Sequence, residues 1–99
     1  MMVIIKKIKL DLMEKYLEDI VILCSQIKVS QEELKYVNSR MKNNKNDFSS
    51  GDISKSLFTN EKNSLEKEGK KLSNKIKTNI KESLKRLESL RKILNAIEI

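Results

Sequence analysis

Apolar residues recur every three or four positions in two long stretches of the chain, and a polar segment near the middle separates them. The two stripes, read in opposite chain directions, are Ile5, Ile8, Leu12, Tyr16, Ile20, Leu23, Ile27, Leu34 and Met41, and Leu94, Leu90, Leu87, Leu84, Ile80, Ile76, Leu72, Leu65 and Phe58. Paired in this order, the two residue numbers always sum to 98, 99 or 100. Two antiparallel helices packed side by side require such a constant sum, with a turn near residues 49–50. The pattern predicts an all-α fold, a long antiparallel two-helix hairpin of coiled-coil type.

The polar segment gives the predicted boundaries. The expected helix, loop and second helix cover residues 3–45, 46–52 and 53–97. Asn, Asp and Ser side chains in the loop compete with helical hydrogen bonds, and Gly51 can adopt a positive φ. Asp52 or Ser54 is the predicted N-cap of the second helix. The whole chain, residues 1–99, is expected to form one domain.

One point inside the first helix resembles a helix start. Ser30 and Glu33 have the spacing of a capping box. The apolar stripe nevertheless keeps its phase across this point, so we predict a continuous or gently bent helix. The constant-sum rule places Ser30 opposite Gly69, which predicts two small residues facing each other.

The first helix carries more apolar surface than one seam uses. A second stripe recurs at steps of three and four and consists of Leu10, Met13, Leu17, Val21 and Cys24. One interpretation is a broad stripe that wraps around the second helix. The other is an interface with another chain, because a two-helix hairpin cannot cover so wide a face. Little equivalent surface is predicted on the far side of the second helix. We therefore expect a four-helix bundle, completed by a homodimer or by a helical protein partner.

Composition bounds the function. The chain has 99 residues, no proline, two glycines and a formal net charge of +7. Of its 21 basic residues 18 are lysine, and 14 acids are interspersed among them. Solvated lysine-rich faces explain this pattern; the alternative is an anion-binding surface on the more basic second helix. That surface would use Lys70, Lys71, Lys75, Lys77, Lys81, Lys85, Arg86, Arg91 and Lys92.

The sequence offers no candidate catalytic residues. The chain contains no histidine and one cysteine, Cys24, which excludes an intrachain disulfide and a cysteine-based metal site. No glycine-rich phosphate loop or nucleophile–base pair is apparent. We expect no enzyme activity, no catalytic residue, no cofactor and no metal. Cys24 lies in an apolar run, which predicts a buried, inert thiol; an intermolecular disulfide is the alternative.

The N-terminal segment lacks the features of a cleaved signal peptide, and the longest apolar run has five residues. We expect a cytoplasmic protein, or one exported without a cleaved signal peptide, and no membrane insertion.

The turn resembles that of a known family. Phe48-Ser-Ser-Gly51 lies between two long helices, and Phe58 follows seven residues after the glycine. This is similar to the small helical hairpin proteins of type VII secretion, the WXG family and its relatives associated with LXG toxins. The resemblance assigns Phe48 to the tryptophan position, Gly51 to the glycine and Phe58 to the later aromatic. It implies a hairpin that dimerises or lies along the helical N-terminal domain of a larger secreted effector.

These observations predict a non-enzymatic interaction module that binds another helical protein through the second stripe of the first helix. Two alternatives stay open. One is a basic coiled coil that associates non-specifically with nucleic acid through phosphate contacts. The other is a structural spacer within a larger assembly.

Overall fold

The protein, described by a computed structural model over Met2–Ala96 with side chains from Lys6 onward, consists of two helices. Helix α1 spans Met2–Ser49 and helix α2 spans Lys55–Ala96, with residues 50–54 between them. The predicted all-α helical hairpin is confirmed. The predicted end of the second helix at residue 97 and the side chain of Ile5 lie outside the described residues.

A glycine in the left-handed region ends α1. The Gly51 N–H donates to the Phe48 carbonyl at 3.1 Å, and the Asp52 N–H donates to the Asp47 carbonyl at 2.9 Å. These two bonds form a Schellman motif, and Gly51 has the positive φ of 78° that the motif needs. Helix α1 therefore continues to Ser49, beyond the predicted end at residue 45. Its last Asn, Asp and Ser residues stay helical because the closing backbone bonds outweigh their weak propensity.

Ser54 begins α2. Its hydroxyl accepts a hydrogen bond from the Leu57 N–H at 3.2 Å, and its carbonyl accepts one from the Phe58 N–H at 3.0 Å. Of the two predicted N-caps, Ser54 is the one used, because its side chain satisfies a free donor of the first turn.

Each helix turns a regular heptad stripe inward. In α1 the buried and half-buried residues alternate steps of three and four, and they are Met13, Tyr16, Ile20, Leu23, Ile27, Ser30, Leu34, Val37, Met41 and Asn44. In α2 the same alternation gives Leu65, Gly69, Leu72, Ile76, Asn79, Ser83, Arg86, Leu90 and Ile93. These inward stripes keep the heptad spacing throughout and therefore include several polar residues. In this they differ from the predicted seam.

The hairpin divides into two compact units, each built from parts of both helices. The loop half is Lys28–Lys77, and the chain on either side of it forms the terminal half. In the loop half, Val37 is 1% exposed and Leu65 is 2% exposed. Together with Leu72 they form the buried core, against which Leu34 and Met41 pack.

Gly69 lies against aliphatic side chains of the loop half. A Cβ built at this position would be 3.8 Å from Val37 Cγ1 and 3.9 Å from Leu34 Cδ1. The predicted pairing of Gly69 with Ser30 is therefore wrong, although Ser30 is buried and α1 is continuous through it. The error arises because the loop is centred on residue 52, beyond the predicted turn near residues 49–50, which shifts the pairing between the helices.

Polar contacts confirm the shifted register. In the loop half, Arg40 forms an ion pair with Glu61, and Asn44 Nδ2 donates to the Phe58 carbonyl at 3.1 Å. Their residue numbers sum to 101 and 102, above the predicted 98–100. A buried asparagine with a bonded amide fixes the alignment of two helices, because a slipped register leaves the amide without its acceptor.

Candidate protein-interaction surface

The second stripe predicted on α1 is exposed in the terminal half, with one exception. Leu10, Leu17, Val21 and Cys24 are exposed, and Val21 reaches 64%. Met13 is half-buried and belongs to the inward stripe of α1. The expectation that Cys24 is buried is wrong. Cys24 directly follows the inward-facing Leu23, and a step of one residue turns the side chain away from the interior. The thiol is therefore exposed.

Helix α2 carries a matching exposed stripe that sequence reasoning missed. Its members recur at steps of four, three and seven within the terminal half, with Arg91 at the intermediate position, and they are Ile80, Leu84, Leu87 and Leu94. Leu84 is the most open of them at 59%. The prediction that these residues lie in the seam between the helices is wrong. The inward positions are instead the adjacent Asn79, Ser83 and Arg86.

An open groove lies on the flank of the terminal half opposite the two exposed stripes. Its walls combine Leu12 and Asp19 of α1 with Lys85 and Arg86 of α2. Arg86 Nε lies 3.5 Å from Asp19 Oδ2, at ion-pair distance. This groove shows which side of each helix faces the same flank of the hairpin.

The two apolar stripes share the flank away from the groove. With 3.6 residues per turn, Leu17 and Val21 lie across the inward stripe of α1 from Asp19. By the same geometry, Leu84 and Leu87 lie across the inward stripe of α2 from Lys85. In an antiparallel pair, both sets therefore project to one side. We call this surface the lateral apolar face, and its members are Leu10, Leu17, Val21, Cys24, Ile80, Leu84, Leu87 and Leu94.

The lateral apolar face is organised in rows across the two helices. Pairs whose residue numbers sum to 104 or 105 lie at the same level, as for Asp19 and Arg86. The apolar rows are Leu10 with Leu94, Leu17 with Leu87, Val21 with Leu84, and Cys24 with Ile80. The same steps place Glu14 and Arg91, one acid and one base, in a row of their own. The four apolar rows of the face are thus interrupted by one row of opposite charges.

Ion pairs concentrate on the groove side and along the exposed edge of α2. Arg86 Nη1 donates to Glu82 Oε2 at 2.8 Å, and this hydrogen bond lowers the pKa of Glu82 and raises that of Arg86. Arg91 donates to both Glu88 carboxylate oxygens at 2.7 and 3.1 Å, which lowers the pKa of Glu88. Arg86 is therefore held within the hairpin. It is not the freely exposed cation that a phosphate-binding second helix was expected to offer.

The turn motif is brought together in the loop half. The rings of Phe48 and Phe58 stack with centroids 4.4 Å apart and an interplanar angle of 13°. Gly51 lies in the connection between them, and a Cβ built at this position would have no neighbouring atom within 4 Å. The two phenylalanines therefore join the ends of the helices, and Gly51 acts through its backbone conformation.

The described part of the chain gives no support for a metal site or a membrane-spanning helix. No cluster of three metal-ligating side chains occurs among these residues. Neither of the described helices is long and apolar enough to cross a membrane. Comparisons with protein-family models, with curated proteins and with solved structures gave no match.

Proposed function

We propose that this protein is a non-enzymatic interaction module that binds a helical partner through the lateral apolar face. The observation that carries the proposal is the orientation of α2 in its terminal half. Asn79, Ser83 and Arg86 face inward there, while Leu84 and Leu87 face water. A helical partner that covers the leucines makes this orientation favourable.

Two rotations of α2 differ in which side chains they bury. Turning the helix by about one residue would bring Ile80, Leu84 and Leu87 into the interior and release the polar residues to water, while it would exchange the buried Leu90 for Arg91. Complete burial of such a side chain is worth about 1.5–3 kcal/mol, so these three half-exposed side chains forgo about 2–4 kcal/mol, part of which the exposure of Leu90 would offset. A partner that covers them recovers this free energy on binding. An exposed apolar patch of this kind is characteristic of a protein–protein interface.

The partner class follows from the shape of the face and from the turn. Two side-by-side stripes with helical spacing fit the apolar face of another helix or helical hairpin, as in a four-helix bundle. The turn residues Phe48, Gly51 and Phe58 support a place among the type VII secretion hairpins. We therefore propose that the partner is a second copy of the chain or the helical N-terminal domain of a larger secreted effector.

Aspartate substitutions on the face test the proposal. V21D on α1 and L87D on α2 should abolish binding to the helical partner, because each places a carboxylate in an apolar contact. The matched controls are I22D and L57D. Ile22 is 55% exposed next to Val21 but projects away from the face, and Leu57 is 60% exposed in the loop half. Circular dichroism checks that all four variants remain helical.

The assay is light scattering after size exclusion, with the chain alone and with the co-expressed N-terminal domain of an LXG toxin. Loss of the complex in V21D and L87D, with I22D and L57D intact, is the expected result. A cooperatively folded monomer that binds neither partner would contradict the proposal, as would a complex that tolerates both face variants.

Secretion is tested in the host cell. If the protein is a type VII secretion module, deleting the ATPase of that system should stop its appearance, or that of its effector, in the culture medium. Export of both proteins that continues unchanged in the deletion strain would reject the secretion assignment while leaving the helical interaction intact.

A further inference from the structure

We propose that the lateral apolar face pairs with the same face of a second copy about a two-fold axis parallel to the helices, and that Glu14 of each copy meets Arg91 of the other. This inference rests on the proposed function and names its partner. The observation behind it is the position of the two charges within an otherwise apolar face.

The charges make the face complementary to itself. Glu14 and Arg91 are exposed and lie in one row, between the row of Leu10 and Leu94 and the row of Leu17 and Leu87. A two-fold axis along the helices lays α1 of one copy over α2 of the other and brings each row onto the same row. Every apolar row then meets an apolar row, and Glu14 lies against Arg91 twice in the dimer.

The alternative two-fold axis, perpendicular to the helices, loses this match. Centred on the row of Leu17 and Leu87, which keeps all five rows in contact, it lays α1 over α1 with reversed direction. Glu14 then comes to the level of Val21, and Arg91 to the level of Leu84. Each charge would then be covered by an aliphatic side chain, which costs desolvation without a compensating partner. The charge pattern therefore favours the axis parallel to the helices.

Arg91 has the capacity for the second contact. Its Nε and Nη2 donate to Glu88 on the same helix. A guanidinium carries five N–H donors in a planar fork, so further donors are available for a carboxylate from another chain. Glu88 holds the guanidinium on the exposed edge of α2, which orients it before association.

The apolar part of the contact has a defined end. The next positions after Cys24 and Ile80 in the direction of the loop are Lys28 and Lys77, both exposed. The dimer contact thus covers the rows from Leu10 and Leu94 to Cys24 and Ile80. Across the two-fold axis these lysines would face each other as like charges, which sets the limit of the favourable contact.

Charge reversal and mixing test the arrangement. E14R and R91E should each weaken the dimer by roughly tenfold or more, because each homodimer then contains two like-charge pairs. An equimolar mixture of the two variant chains should restore a dimer, because both cross-chain pairs are again opposite in charge. Within each variant chain, residues 14 and 91 still carry charges of the same sign. Recovery of the dimer on mixing therefore reports a contact between chains.

The controls are E18R and K81E, which reverse exposed charges on the outward side of α1 and α2. Both should dimerise like the wild type in light scattering and sedimentation equilibrium. A monomeric wild type would overturn the inference, as would single variants that keep full affinity. Failure of the mixture to recover would overturn the parallel axis. If the wild type is monomeric while V21D still abolishes binding of a helical effector, the proposed function stands without the homodimer.

Discussion

The rings of Phe48 and Phe58 stack at 4.4 Å across the loop, so the last turn of α1 and the first turn of α2 are joined by an aromatic pair. The Phe58 carbonyl also accepts the Asn44 amide at 3.1 Å, which adds a polar contact to the same end of the hairpin. The Schellman motif at Gly51 sets the distance between the helix ends. These three contacts fix the register of the loop half from its closed end.

The aromatic pair should couple energetically. F58A is expected to destabilise the hairpin by about 1–3 kcal/mol, since Phe58 is half-buried, and F48A by less because Phe48 is more exposed. A double-mutant cycle should give a coupling of about 0.5–1.5 kcal/mol, the range found for stacked aromatic pairs. Chemical denaturation of the four proteins measures it. Additive effects would show that the rings act independently.

The two glycines should respond to alanine with opposite signs. G51A should cost about 1 kcal/mol, because φ of 78° is unfavourable for any residue with a Cβ, even where the surrounding space is open. G69A should gain about 0.5–1 kcal/mol, because Gly69 is helical and its new Cβ meets Val37 and Leu34 at ordinary contact distances. Thermal melts of both variants measure these changes in stability. Destabilisation by G69A would mean that the helices approach more closely than these distances show.

Asn79 should be a site where an apolar residue stabilises the hairpin. Its Nδ2 is buried and has no hydrogen-bond partner within the described residues. N79L should therefore raise the free energy of unfolding by about 1–2 kcal/mol by removing an unsatisfied donor. N74L, at an exposed position of the same helix, is the matched control and should change little. A lower melting temperature for N79L would indicate that the amide has a bound partner in solution.

The fold class could be predicted from periodicity alone because both helices keep apolar residues at steps of three and four for their full length. The exposed positions Leu10, Leu17 and Val21 could also be found, since one seam cannot contain two stripes. The cap at Ser54 followed from residue type. Each of these predictions depends on local pattern or propensity.

The rotation of α2 could not be predicted in this way. In its terminal half two overlapping stripes compete, and the more apolar one contains Leu84 and Leu87. The heptad that starts in the core at Leu65 and Leu72 continues to Asn79 and Arg86, and leaving it would require a break in the supercoil. Continuity of the helix therefore outweighs the hydrophobicity of individual positions. A strict heptad count from Leu65 would have identified the exposed face.

The ion pair between Glu82 and Arg86 should make stability depend on pH in the acid range. The Arg86 hydrogen bond lowers the pKa of Glu82 below its ordinary value of 4.5. A carboxyl with a lowered folded-state pKa stabilises the fold above its ordinary pKa and loses that contribution as the pH falls through the folded value. E82Q should therefore flatten the decline in melting temperature below about pH 4.5, whereas E18Q on the outward side of α1 should retain it. Equal acid sensitivity of E82Q and the wild type would contradict this account.

Cys24 provides a direct report on whether the lateral apolar face is covered. The thiol is exposed at the last row of the face, opposite Ile80, so a maleimide should label it rapidly in a chain without a partner. In the complex, the same row is buried and labelling should slow by roughly tenfold or more, because the reagent reaches the thiol only after dissociation. S25C on a C24S background places a thiol one position further round the helix, away from the face, and should label at the same rate with and without the partner. Labelling of Cys24 that is as fast in the complex as in the free chain would place the contact surface elsewhere on the hairpin.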